Sequence, residues 1–225
     1  MNNLFAVALK HFSIFCLVFA GLLIWIYFGF GREKMGDFYR ANGNYWLSDI
    51  ANGGEAKMDL DDNPNDQYDT LISLTSKQQK KRVVEKARRE GRRQVQYSPV
   101  KFPVDSWANS CLFFVFFIAL MIAAPVTIKR KLIGLIFGLP LVYVFIYIKI
   151  YLCILFRFSQ YYEKFEVGFN SPFMLTVMNY IYNIVMYPFF GLMITLLICL
   201  GFVFIGKKDG IKLNIKNNTV LNAAI

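Results

Sequence analysis

The sequence predicts an all-α integral membrane protein with four transmembrane helices, the fourth kinked or broken at Pro188, and a small α+β extracytoplasmic insert. Three observations predict it. Of 225 residues, 56% are apolar and only 18% charged, and the mean hydropathy of +0.40 argues against a soluble globular domain. Uncharged runs near the ~20 residues that a ~30 Å hydrocarbon core requires occur at four places. The charge lies mostly between the first two of them, because residues 32–105 hold 14 of the 25 Lys/Arg and 12 of the 15 Asp/Glu. The expected organisation is a signal-anchor helix at 1–30, a hydrophilic insert at 31–106, a three-span bundle at 107–206 and a polar cytoplasmic tail at 207–225.

The first apolar run, residues 12–30, is too long for a signal-peptide core and has no small-x-small cleavage site, so it reads as an uncleaved anchor. The second covers residues 107–128. Lys129, Arg130 and Lys131 follow at once and form a basic turn into the third run, making spans two and three an antiparallel hairpin. The third run reaches about residue 156 and is interrupted only by Lys149, roughly 26 Å along the helix from Leu132 and so expected near the far headgroups. Gly134 and Gly138 form a small-xxx-small pair for close helix packing. In the last run, 167–206, Pro172 suits a helix start and Pro188 a kink or break.

The basic turn, together with Lys207, Lys208, Lys212 and Lys216 in the tail, favours the cytoplasmic side. Four spans then place both termini inside and the insert outside. Arg32, Lys34, Arg40 and the basic residues at 88–101 favour the reverse. The insert, at 76 residues, exceeds the ~60 over which the charge rule holds.

Within the insert, Trp46, Leu47 and Ile50 read as an interfacial patch and Asn52-Gly53-Gly54 as a turn. Alternating patterns predict short strands at 56–60, 70–75 and 94–97. Ser76 with Gln79 resembles a capping box, and Gly91 can close the helix that follows. That helix carries Lys81, Arg82, Arg88, Arg89, Arg92 and Arg93. Two readings stand: a solvated helix with local ion pairs, or a contact surface for anionic lipid headgroups or an acidic partner. Nucleic acid is not expected, since 14 cations against 12 anions leave the insert at +2. Asp59, Asp61, Asn63 and Asn65 have calcium-loop spacing, but Pro64 and Thr70 stand where Gly and Glu belong, so a solvated turn is expected.

No catalytic, cofactor or metal residues are assigned. The four cysteines, Cys16, Cys111, Cys153 and Cys199, fall one per span, which argues against a disulfide-stapled insert. The single histidine, His11, lies at the inner end of span one, too far for a nucleophile pair on the outer face. A partner-binding set is expected instead. Tyr143, Tyr147 and Tyr151 form one stripe with Lys149 and Arg157 near its outer end, and Thr176, Asn179, Tyr180, Asn183 and Tyr187 share a face of span four. These stripes either face each other and seal the core, with the tyrosines as an interfacial belt, or present a surface to another membrane protein or an exported substrate's membrane segment. The loop residues Phe158, Tyr161, Tyr162, Phe165 and Phe169 read as an amphipathic stretch in the headgroup layer.

A signal anchor, a strand-rich exterior segment, Ala123-Ala124-Pro125 at a span end, Lys129-Arg130-Lys131 leading through Gly134 and Gly138 to Pro140, and Tyr180 with Tyr187-Pro188 together resemble the small bacterial exosortase-associated membrane proteins. The likeness covers about the last half of the chain plus the topology. It implies a non-catalytic inner-membrane companion of an exosortase, the transpeptidase-like protease that sorts exported proteins bearing a C-terminal signal helix. An outward Cys, Arg and His set is missing, so the chain resembles the companion and not the protease. The basic helix finds no place in that family's pattern. The alternative is a transport subunit of ABC-permease topology, although 11 residues before the first span and a short turn leave little for an ATPase to grip.

Overall fold

The computed structural model describes residues 2–29, 31–50, 54–61, 68–92, 97–161 and 172–204. Its helices are α1 (Asn2–Phe28), α2 (Gly31–Leu47), α3 (Lys77–Arg89), α4 (Leu112–Ala123), α5 (Ile128–Tyr161), α6 (Pro172–Met186) and α7 (Pro188–Phe204). Four strands, β1 (Asp49–Ile50), β2 (Gly54–Leu60), β3 (Thr70–Ser76) and β4 (Val100–Val104), form one antiparallel sheet in sequence order. A π-helical turn at Trp107–Cys111 runs directly into α4.

Among the described residues two helices, Phe5–Phe28 and Ile128–Phe158, are long and apolar enough to cross a membrane, and α6 with α7 makes a third if the 71° bend between them lies within one span. The fourth apolar helix, Trp107–Ala123, is shorter. It is nevertheless the centre of the bundle. Phe113, Val115, Phe117, Ala119 and Met121 are all buried, because a helix apolar on every side needs neighbours on every side. On one flank it runs antiparallel to α1: the His11 ring Nδ1 donates to the Ala123 carbonyl at 2.7 Å, Phe15 and Phe19 meet Phe116 edge-on at 5.5 and 5.9 Å, and Tyr27 meets Trp107 at 6.3 Å. On the other flanks Phe113, Phe117 and Met121, one turn apart, sit over Gly191, Gly138 and Gly134, where a Cβ would run into them. The small-xxx-small pair of α5 is thus filled by α4. Outward, Leu17, Trp25, Ile136, Phe137, Leu141, Met193 and Leu197 stay exposed and form an apolar belt.

The insert does not stand apart from this bundle. Alternation along β2 and β3 turns Ala56, Met58, Ile72 and Leu74 inward with Phe102 of β4. That face joins Tyr39 and Leu47 of α2 and Ile154 and Phe158 of α5 in a hydrophobic cluster continuous with Phe113 and Phe117. The 34-residue α5, about 51 Å long, makes this possible by continuing past the apolar belt to give the sheet a wall.

Several expectations are corrected. Residues 31–47 form a helix and not merely a patch around Trp46 and Leu47: Leu47 is buried while Trp46 stays exposed. Three cations foreseen as a turn, Lys129, Arg130 and Lys131, lie in the first turn of α5, and Lys131 Nζ bonds the Ile122 carbonyl across the hairpin. Of the strand expected at 94–97, only Tyr97 is described, and it lies outside any strand; the last described strand is Val100–Val104. Its Pro103 is tolerated because β4 is an edge strand. Phe158 is fully buried beside Gly54 and is not part of an exposed amphipathic stretch. Asn52, Gly53, Asn63, Asn65, Arg93, Tyr162, Phe165, Phe169 and the tail from 205 lie outside the described residues.

Candidate functional site

The ordered seam between insert and bundle begins at Asp69, just before β3. Its carboxylate accepts from the Ser106 backbone N–H at 2.8 Å and from the Ser106 hydroxyl, tying the sheet to the start of the bundle helix. Arg40 of α2 reinforces the joint, donating to the Asp69 carbonyl at 3.0 Å and the Asp37 carboxylate at 2.6 Å. Asp105 then caps the π turn by accepting from the Ala108 N–H at 3.1 Å, and Asn109 donates back to the Asp105 carbonyl at 2.8 Å. Behind this joint the Tyr39 phenol is held neutral well above its ordinary value of 10.0, chiefly by burial.

A cavity of about 190 Å³ opens at this seam, walled by Phe102 and Pro103 of β4, Asp105 before the π turn and Asn109 within it, Lys149, Cys153 and Arg157 of α5, and Tyr182 of α6. Lys149 is 1% exposed, so it is buried and not snorkelled to an outer surface as its sequence position suggests. Its Nζ and the Arg157 Nε have no hydrogen-bond partner. Lys149 lies over the Phe113 ring at 4.9 Å, and the Arg157 guanidinium lies 5.7 Å from Phe102 and 5.9 Å from Tyr182.

The two polar stripes do not face each other. Tyr143 donates to the Asn42 side-chain oxygen at 2.8 Å, lies 3.2 Å from the Tyr147 hydroxyl and packs on Phe38, so the tyrosine stripe of α5 serves α2. The side of α6 that meets α5 is instead carried by Tyr182, stacked on Phe156 at 4.1 Å. Thr176, Asn179, Tyr180, Asn183 and Tyr187 are all exposed, Tyr180 by 70% and Tyr187 by 66%. The structure therefore divides the expected partner set, with Lys149 and Arg157 in the cavity, Tyr143 and Tyr147 turned to α2, and Thr176, Asn179, Tyr180, Asn183 and Tyr187 on the open face of α6. Sequence spacing finds the α6 face but not the cavity, whose walls come from six separate elements, α2 and β3 as well as β4, the π turn, α5 and α6.

The basic helix begins as its cap motif predicts, with the Ser76 hydroxyl accepting from the Gln79 N–H at 3.3 Å, and Gly91 follows with a φ of 70°. Lys77 is paired with Asp49 at 2.7 Å, which raises its pKa above the ordinary value. Lys81, Arg82, Arg88 and Arg89 project from α3 into solvent, as does Arg92 just beyond it, and only Ala87 is buried. All four cysteines are free thiols, and among the described residues no three His, Cys, Asp or Glu converge as a metal site would need. No protein-family model, curated protein or solved structure matches this chain.

Proposed function

We propose that this protein is a non-catalytic accessory subunit of a bacterial cytoplasmic membrane that binds and positions a partner membrane protein at the face carrying the insert. In this reading α1, the α4 helix with its π turn, the apolar part of α5, and α7 each cross the bilayer, both termini are cytoplasmic, and α6 lies at the outer boundary beside the sheet. The observation that carries the reading is the exposed row Asn179, Tyr180, Asn183 and Tyr187 on a helix whose other face packs on α5. Amide groups at the edge of a bilayer gain most when a second helix covers them, about 0.6 to 2 kcal/mol per contact. The resemblance of the C-terminal half to exosortase-associated proteins makes an exosortase-type protease, or an exported substrate's signal helix, the proposed occupant.

The test is co-purification from mildly solubilised native membranes, comparing the unaltered chain with an Asn179→Leu, Asn183→Leu double variant. The unaltered chain is expected to retain a multi-span Cys protease or a C-terminally anchored export substrate, and the variant to lose it at equal expression and equal melting temperature. Equal recovery from both would remove α6 from the interface. Recovery of an ATPase in place of a protease would make the chain a transport subunit.

A further inference from the structure

We infer that the cavity at the seam is a binding site for a phosphate group, borne on a phospholipid or free, with Lys149 and Arg157 as its ligands. A buried ammonium without a partner is costly, and natural proteins bury one only against a counter-charge or a full set of hydrogen bonds. Lys149 has neither among the described residues: its Nζ has no hydrogen-bond partner, it lies over the face of Phe113 at 4.9 Å, and the neighbouring Cys153 is a free thiol. Arg157 aims a second unused donor, Nε, from two helical turns further along α5. The carboxylate in the wall, Asp105, is already engaged in capping the π turn.

Two cations facing one space of about 190 Å³ suit a tetrahedral anion, since its several oxygens can accept from both at once while a lysine acts as a point charge and an arginine as a directional donor. A π-helical turn in the wall is a further sign of function, because such turns occur frequently at functional sites. The cavity also stands where α5 leaves the apolar belt, with half-buried Arg157, Tyr182 and Met186 forming its α5–α6 wall. Arg157 stands at the end of the apolar stretch Ile128–Phe158, so in the topology proposed above the cavity opens near the depth of headgroup phosphates.

The proposal does not depend on the α6 docking face, and the two fail separately. The test uses the full chain, stripped of lipid, in a sugar-based detergent. Melting temperature is followed with inorganic phosphate, with short-chain phosphatidylglycerol and with acetate, for the unaltered chain and for Lys149→Met and Arg157→Gln. Phosphatidylglycerol at about a hundredfold excess over its Kd is expected to raise the melting temperature by about 5 °C or more in the unaltered chain, and by much less in either variant. A response to inorganic phosphate but not to the lipid assigns the site to the free anion. Equal shifts in all three proteins, no shift with either phosphate species, or a shift with acetate alone would overturn the proposal. Lys149→Met is also expected to melt at or above the unaltered chain when no anion is present, since it removes an uncompensated charge; a large drop would mean that the ammonium has a partner within the fold.

Discussion

Glycine carries the tightest packing in this protein. At Gly138 the obstacle to a Cβ is the Phe117 ring, fully buried and held on all sides, whereas at Gly134 it is the terminal methyl of Met121. A ring cannot yield without moving its helix, while a thioether can swing aside. Gly138→Ala is therefore expected to cost about 1 to 3 kcal/mol as overpacking, and Gly134→Ala distinctly less. Thermal unfolding of both variants in one detergent reads the difference. Equal losses would mean that α4 and α5 shift as bodies and that the identity of the opposing side chain is irrelevant. The same residue type explains what the sequence concealed. Of the α2 residues whose burial is described, five are buried, and two of them are Gly36 and Gly43. Gly36 leaves room for the Arg40 and Asp69 side chains, and Gly43 for Met58. Hydrophobic periodicity cannot register a face made partly of glycine, so a 17-residue helix was invisible to it.

At the scale of elements, α2 does for β2 what a neighbouring strand would do. β1 pairs with only the first two residues of β2, and beyond the Ala56 N–H, which donates to the Ser48 carbonyl at 3.3 Å, no strand covers that edge among the described residues. Asn44 closes it: its amide donates to the Met58 carbonyl at 2.8 Å and accepts from the Met58 N–H at 2.7 Å, the pairing a strand backbone would make. Asn44→Ala leaves both backbone groups of a buried residue unpaired and is expected to cost about 2 kcal/mol. Asn44→Asp retains the acceptor but sets a carboxylate oxygen against the carbonyl, and is expected to fall no better than midway. Urea titration of each variant checks the order, and full stability in Asn44→Ala would show that β2 needs no partner on that side. Elements with a strong local signal were legible. β2 and β3 alternate, α3 announces itself by Ser76 and Gln79, and Pro188 breaks the last apolar run at a 71° bend. What local pattern cannot give is the neighbour each face will meet. Both polar stripes are evident from spacing, yet the tyrosines of α5 turn to Asn42 and Phe38, and the amides of α6 turn outward. The cavity is the extreme case, since Lys149 reads as a headgroup lysine until β4 and α6 enclose it.

For the whole molecule, the decisive feature is that the hydrophilic insert and the apolar bundle share one core. Composition divides the chain sharply at residues 31–106, and a division of charge invites a division into domains. The packing crosses it. The inner face of the sheet, Ile72, Leu74 and Phe102, is completed by Ile154 and Phe158 of α5, and the ring of Phe158 lies on Gly54 at the start of β2. A piece of 76 residues already buries too small a fraction of its surface for ease of folding, and without α5 this one also exposes the face that should be its core. Residues 31–106 expressed alone are therefore expected to show no cooperative urea transition, with a low-slope, gradual loss of far-ultraviolet signal in place of a sigmoid. The same segment within the full chain in detergent is expected to unfold together with the bundle. A sharp transition from the isolated piece would mean that α2 suffices to seal the sheet and that the insert is a domain in its own right. Co-operative unfolding only in the intact chain would instead explain how a seam between soluble and apolar halves can hold Lys149 and Arg157 in fixed places, because neither half could keep that cavity shaped without the other.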